Sequence, residues 1–376
     1  MAYSSQSYGV QYDMPTKDAW LSGFYQLTWY QSCTSSRGFA IHTFQGSGTV
    51  NDIRIMGSIM GDISGLADSV RPISFNVIGQ DGKTGPKQYH CITKVEIHSN
   101  PKPIGGFRIM VRSEPMLVLM DKERKNRALV GQKISDVVKQ VVASTTQVTL
   151  GKVEDTINIP EFGVVRQLNL TDLQFIIHYL APRAFNGKNG GYELWTDNGK
   201  NVMFTTINYG LTKPFSFKPD PERYISAEEC DQSFDVNQQG GMVLSVLGFD
   251  HYRKGAKEVS VKLGADFSPS CGSEPNLFSS GLERFEYAPF QSQLAISALA
   301  GDRHDRLRQT AAEFTIKLSG SAEGVPIPCG IDLSNMNYRG QSTQQGVVSG
   351  VLNTIRKGKL VHEVRVRRDK WNIDKS

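Results

Sequence analysis

Residues 347–367 read VVSGVLNTIRKGKLVHEVRVR. Leu360, His362, Val364 and Val366 fall on one face of an extended chain, and Val361, Glu363, Arg365 and Arg367 on the other. A period of two marks a strand with one face on a core and the other turned to water or a partner. The segment predicts a long hairpin bent at 356–359. The same period recurs nearer the start of the chain. Ile73, Phe75 and Val77 alternate with Ser74 and Asn76, Phe107, Ile109 and Val111 with Arg108 and Met110, and Ile53 and Ile55 flank Arg54. Gly- and Pro-rich stretches such as GQDGKTGPK (79–87) and NPKPIGG (100–106) punctuate these runs. Short strands at this spacing predict a small barrel or sandwich.

The pattern changes after Met120. DKERKNR (121–127) reads as a charged, solvated loop between domains. KISDVVKQVVAS (133–144) then places Ile134, Val138, Val141 and Val142 on one helix face, with Ser135 as N-cap and Asp136 in the first turn. A second helix follows in NLTDLQFIIHYLAP (169–182), where Leu173, Ile176, Ile177 and Leu180 form one apolar stripe. Thr171 or Asn169 can cap it, and Pro182 stops it. In YELWTDNGKNVMF (192–204), Asn198-Gly199 predicts a type I′ hairpin turn with Tyr192 and Leu194 facing Val202 and Phe204. Further on, 242–252 and 258–267 read as strands. SPSCGSEPNLFSSG (268–281) reads as a loop without an assigned role, and DRHDRLRQTAAEF (302–314) as a charged helix entering a strand. GVPIPCGIDL (324–333) carries two prolines around a turn.

Catalytic signatures are missing. The seven histidines form no H-x-x-x-H or H-E-x-x-H, and no G-x-S-x-G or Walker frame occurs. His178 sits at the edge of an apolar stripe and reads as a packing or hydrogen-bonded residue. The five cysteines (Cys33, Cys91, Cys230, Cys271, Cys329) are odd in number and widely spaced, so buried free thiols are expected. No metal, cofactor or catalytic residue is assigned. The chain has 18 Phe, 13 Tyr and 4 Trp to bury, which argues against disorder. Its net charge of +5 over 376 residues is too mild for a dedicated nucleic-acid binder. The start, MAYSSQSYGVQYDMP, has no basic n-region or apolar h-region, and no apolar run approaches the roughly 18 residues that span a bilayer. Folding in a cytoplasm without membrane insertion is expected. The basic cluster of interest is Arg365, Arg367 and Arg368, close to Lys370 and Trp371. These arginines either pair with Glu363 and with carboxylates of adjacent strands or subunits, or meet phosphate.

Three segments in order carry a resemblance. They are YHCITKVEIHSNPKPIGGFRIMVRSEPMLVL leading into GQKISDVVKQVV; RQLNLTDLQFIIHYLA followed by GYELWTDNGKNVMF; and AAEFTIKLSG with VPIPCGIDLSN before GVVSGVLNTIRKGKLVHEVRVRR. Together, over roughly 85–370, they resemble the baseplate hub proteins of contractile-tailed bacteriophages, and the hub half of type VI secretion spike proteins is similar. The resemblance implies a mainly β, α+β chain. It implies two small tube-forming β-barrels, with an inserted α/β domain and a further insertion, in subunits that assemble as a ring. The implied layout is a first barrel over 1–115 and an α/β domain over 116–206 with helices 134–144 and 171–181. The second barrel begins, with an inserted segment, over 207–312, and 313–376 completes it.

The resemblance also implies a non-enzymatic homotrimer in the virion, joining a six-fold tail tube to a three-fold spike around a DNA channel. Partners would be the tube and spike proteins, other baseplate and tape-measure proteins, and DNA in transit. Arg365, Arg367 and Arg368 would then be a lumen or subunit-contact face. The alternatives are the hub of a bacterial contractile injection or secretion apparatus, a tail-associated cell-wall hydrolase, and a carbohydrate- or host-binding tail module.

Overall fold

The computed structural model describes residues 7–13, 24–34, 38–46, 71–79, 81–99, 107–158, 164–186, 191–206, 209, 216–217, 224–229, 244–249, 258–263, 284–288, 313–332 and 345–367. The expected strand around Ile53 and Ile55, the loop over 268–281 and the helix over 302–312 lie outside them. The chain is mainly β. The first six strands are β1 (Gly9–Asp13), β2 (Phe24–Ser32), β3 (Phe39–Gly46), β4 (Arg71–Ile78), β5 (Gln88–Ser99) and β6 (Phe107–Pro115). The middle adds β7 (Arg124–Val130), helix α1 (Ile134–Ala143), β8 (Thr149–Val153), β9 (Val164–Thr171), β10 (Tyr192–Thr196) and β11 (Asn201–Thr206). Then come β12 (Ser216–Phe217), β13 (Tyr224–Glu229), β14 (Leu244–Phe249), β15 (Glu258–Leu263) and β16 (Arg284–Ala288). The last four are β17 (Glu313–Ser319), β18 (Cys329–Asp332), β19 (Gln345–Arg356) and β20 (Lys359–Arg367).

The hairpin expected from the alternation is the seam of the molecule. β19 pairs with β20 along its length, and Lys357 and Gly358 turn the chain with φ of 50° and 73°. Its other edge is divided. Gln345–Val348 pairs with β18, whereas Gly350–Arg356 pairs with β2. Ser349 stands at the division, where the β20 register shifts by a bulge. A bulge bends and twists its strand, which lets one edge change partners. The Ser349 carbonyl accepts from the Cys33 amide and the Ser32 hydroxyl, both at 3.0 Å. The result is one sheet of twelve strands, ordered β1-β4-β5-β6-β3-β2-β19-β20-β17-β13, with β18 and β12 branching from β19.

The sheet curls. Trp29 of β2 and Phe75 of β4 lie on strands well separated in that order, yet their ring centroids are 5.9 Å apart. One core takes Leu27, Trp29, Ala40, Phe75, Val77, Ile355 and Leu360; another takes Ile316, Leu318, Ile331, Val348, Val351, Val364 and Val366. The buried face of a single hairpin therefore feeds two cores. β4 departs from the expected one-sided pattern, since Ile73, Ser74, Phe75, Asn76 and Val77 are all buried.

The middle unit packs α1 and a second helix on the β10–β11–β8 sheet. α1 buries the expected Ile134, Val138, Val141 and Val142, together with Val137. Ser135 is not its N-cap. It is buried inside the first turn, where its amide donates to the Thr156 hydroxyl at 3.1 Å. The second helix does open on a Thr171 cap, with Gln174 completing a capping box. It then winds as a π-helix over Phe175–Leu180 and closes as a 3₁₀ turn over Ala181–Arg183, so Pro182 sits in its last turn. The wider winding buries Phe175 with Ile176 and Leu180, leaves Ile177 half-buried, and turns His178 to solvent. The expected packed histidine is thus an exposed one.

Two further expectations are corrected. Residues 124–130 are β7, antiparallel to β9, rather than a solvated loop. Two of their cations are structural. Lys125 Nζ and Arg127 Nη2 each lie 2.6 Å from the carboxylate of Asp172, which is 2% exposed. Gln167 donates to the same carboxylate at 3.0 Å. The Asn198-Gly199 turn is wider than a two-residue I′ loop. Only Gly199 has positive φ, and the Asn198 side chain accepts from the Lys200 and Asn201 amides. Tyr192, Leu194, Val202 and Phe204 do share one core as expected. The loop is an anchor. Asn198 O accepts from the Tyr89 amide at 2.8 Å and Gly199 O from the Met116 amide at 2.7 Å, so a Cβ on Gly199 would stand 2.1 Å from Tyr89 O.

Removing the charge at Asp172 leaves two cations facing a buried neutral group. Asp172→Asn is expected to cost roughly 3 kcal/mol in urea unfolding. Lys139→Ala breaks only the exposed contacts to Asp136 and Asp155 and is expected to cost less than about 1 kcal/mol.

Candidate functional site

The outward face of the large sheet carries charge. Along β20, Leu360, His362, Val364 and Val366 are buried, and Arg365 and Arg367 alternate to the other side, as the sequence predicts. Arg365 is exposed and lies over the Tyr30 ring, 5.8 Å from its centroid. Tyr30 stacks on Phe39 at 6.0 Å and 29°. This stack needs Gly350, because a Cβ there would stand 2.7 Å from the Tyr30 hydroxyl. Arg367 is half-buried, and its charge bears on the Cys33 thiol. Arg368 lies outside the described residues. Glu363 pairs with Lys317 at 3.8 Å on β17, rather than with either arginine.

A second group on this face was not singled out from the sequence. The β2–β3 register shifts between Phe24 and Gln26, which leaves Tyr25 as an unmatched residue. Arg108 of β6 and Arg356 of β19 both lie over its ring, at 5.7 and 5.8 Å from the centroid. Arg356 also donates to the Tyr25 hydroxyl at 3.2 Å, which holds the phenol below its ordinary pKa, with the nearby charges of Lys357 and Arg108 adding to the effect. The signal was present in part: Arg108 is the outward residue between two apolar ones, and Arg356 opens the hairpin bend.

The arrangement closest to a catalytic couple is buried. His42 Nε2 and His90 Nδ1 lie 2.9 and 3.2 Å from the Ser113 hydroxyl, and Tyr12 OH lies 3.0 Å from His42 Nδ1. Phe75 stands edge-on to both imidazoles. His42 and Ser113 are 0% exposed and His90 1%, so no substrate reaches the hydroxyl. Burial brings both histidines down to about 3, far from the range of a general base at neutral pH. The chain is a core network that ties β1, β3, β5 and β6 together. Burial likewise pushes the Cys33 thiol up to about 12 and Cys91 to about 11, and Cys33, Cys91 and Cys329 are free and buried as expected. Cys230 and Cys271 lie outside the described residues.

At the division between the two β cores stands a second buried pair. His362 Nε2 lies 3.0 Å from the Ser321 amide and 3.2 Å from its carbonyl oxygen, and Nδ1 lies 2.6 Å from Asn353 Oδ1. A cavity of about 270 Å³ opens beside it, lined by Trp29, Phe75, Asn353 and His362 and by the 321–327 loop. Among the described residues, no group of three or more His, Cys, Asp or Glu side chains is placed to hold a metal ion, and no helix is long and apolar enough to cross a membrane.

The curled twelve-stranded sheet with its α/β unit has counterparts among solved structures. A tail protein from Neisseria meningitidis MC58 superposes with a TM-score of 0.64 at 12% identity, over 96% of this chain and 97% of that one. The fold is shared with that tail protein and with a prophage tail protein. The 43 kDa tail protein of prophage MuSo2 from Shewanella oneidensis gives 0.62 at 9% identity, over 97% and 98%. The E. coli c3393 protein, a type VI secretion component described as similar to the T4 tail proteins gp27 and gp5, gives 0.54 at 11%, over 96% of this chain and 76% of that one. No protein-family model and no curated protein matches the sequence.

The buried histidines make a pH prediction. Each binds its proton at about 3 when folded and at about 6.5 when unfolded, so the unfolded chain holds more protons between those values. Stability is full above about pH 6.5 and falls toward pH 3, by up to ~1.4 kcal/mol per pH unit for each histidine. Urea midpoints measured against pH should show this acid limb, and His42→Gln with His90→Gln should flatten it.

Proposed function

We propose that the chain is a structural hub of a phage tail baseplate. The observation that carries this reading is the match to two tail proteins over nearly the whole length of both partners, at TM-scores of 0.64 and 0.62. In this reading three copies form a ring, with two barrels per subunit offering six similar units to a tail tube above and three to a spike below. A mismatch of symmetry is then absorbed within each subunit. The barrels would be the curled regions around the two β cores, with the α/β unit over 116–206 as the brace between them. The Gly199 loop docked on Tyr89 and Met116 supports that role.

The ring would enclose the channel for genome ejection. The sheet face bearing Arg365 and Arg367 would line that channel or meet the next subunit. Tube, spike, other baseplate and tape-measure proteins would be the partners, and the virion tail the place of action. No residue is given a catalytic role.

A second reading, the hub of a bacterial contractile injection or secretion apparatus, is favoured by the match to the type VI component of E. coli and to a Francisella PdpA–VgrG complex at a TM-score of 0.54. The location of the gene within a prophage or a secretion cluster separates the two readings.

Light scattering on the purified chain tests the assembly. The expected mass is three times the 41.7 kDa of one chain, alone or once the tube and spike proteins are added. A strict monomer in their presence, or peptidoglycan cleavage by the pure protein, would overturn the proposal.

A further inference from the structure

Arg356, Lys357 and Lys359 occupy three of the four positions at the tip of the β19–β20 hairpin, and Arg356 and Lys359 close the ladder there as a facing pair. Arg108 reaches the same place from β6, because it shares the Tyr25 ring with Arg356. Several cations elsewhere in the large sheet are matched by carboxylates. Lys94 pairs with Glu96, Arg112 with Glu114 at 3.6 Å, and Lys317 with Glu363 at 3.8 Å. At the tip the matching stops: among the described residues, no carboxylate lies within ion-pair distance of Arg108, Arg356, Lys357 or Lys359.

The tip is also held rigidly. The Tyr8 amide donates to Gly358 O at 2.9 Å, and the Tyr8 hydroxyl donates to Gly320 O at 2.9 Å. Lys357 adopts φ 50°, a region that L side chains other than Asn and Asp seldom enter, so the turn carries a cation where a less strained residue would fit. Arg108 and Arg356 thus lie over the Tyr25 ring, Lys357 bears on its phenol, and Lys359 faces Arg356 across the ladder.

We propose that this tip, with Arg108 and Tyr25, is a contact site for the phosphodiester backbone of nucleic acid. The core of a protein interface is enriched in aromatic and apolar side chains and depleted in lysine. The tip offers two lysines, two arginines and one ring already engaged by guanidinium groups. A polyanion asks for no apolar area, and a DNA duplex presents one charge for about every 1.7 Å of its axis. With the ring so engaged, the contacts go to phosphates rather than to stacked bases, so binding is independent of sequence. The site deepens the tail-hub reading, in which this sheet face would line a DNA channel, by naming the residues that meet phosphate. It rests on that reading for its place, but its binding does not depend on the number of subunits.

The test is fluorescence anisotropy of the full-length protein with labelled DNA duplexes of two unrelated sequences, over about 50 to 200 mM salt. The two duplexes are expected to bind alike, with log K falling linearly against log salt. Arg108→Ala with Arg356→Ala should lower the slope by about two, at roughly 0.9 per lost phosphate contact, and Lys357→Ala with Lys359→Ala by about two more. Lys83→Ala, which removes a lysine paired with Glu323 on another loop, should leave the slope unchanged. Thermal melts show that each variant is folded. Absence of binding by the wild-type chain at the lowest salt would overturn the proposal, as would a slope indifferent to the tip substitutions. A tip variant that changes the solution mass while its DNA binding stays intact would assign the tip to a protein partner instead, and would also overturn it.

Discussion

The structure depends on β19 having two different neighbours on one edge. Strand pairing is local and additive, so a sheet that must serve two cores needs one strand long enough to reach both. β19 has twelve residues and a bulge at Ser349, on one side of which it binds β18 and on the other β2. Chain segments more than 300 residues apart in sequence are thereby fixed in one sheet. The contact of the Ser32 hydroxyl with Ser349 O, between residues 317 apart, is the clearest instance. Such pairings close very long loops, which makes them slow to form. They also remove two strand edges that would otherwise be open to other chains.

Polar groups sit where apolar packing changes hands. Asn353 and His362 stand opposite one another on the hairpin, between the residues that enter one core and those that enter the other. Each is 3% exposed, and each is hydrogen-bonded. A buried polar group costs little when satisfied and much when shifted by one residue, so this pair resists slippage of the β19–β20 register. Asp172 acts similarly in the α/β unit, where it joins β7, β9 and the start of the second helix through Lys125, Arg127 and Gln167. These networks fix the geometry of the scaffold.

Much of the fold was legible because burial writes a period into sequence. Residues 360–366 alternate in the structure as they do in the sequence, and Ile134, Val138, Val141 and Val142 share a helix face. What stayed hidden depended on partners remote in sequence. No local pattern shows that Lys125 and Arg127 will meet a carboxylate 45 or more residues away, so a strand passed for a charged loop. The π winding of Phe175–Leu180 answers to tertiary packing, which favours Phe175 over Ile177. Within the candidate site, the outward direction of Arg365 and Arg367 followed from the period. Tyr25 did not, because a bulge breaks the period where it stands.

The proposed place of this scaffold is on the axis of a tail, between tube and spike. A cryo-electron microscopy reconstruction of the assembled particle tests it most directly. Density for this fold is predicted as three copies in a ring at the tube-proximal end of the spike, with the curled sheets around the channel. Density for the chain in the sheath, the fibres or the capsid, or a particle fully accounted for without it, would contradict that placement.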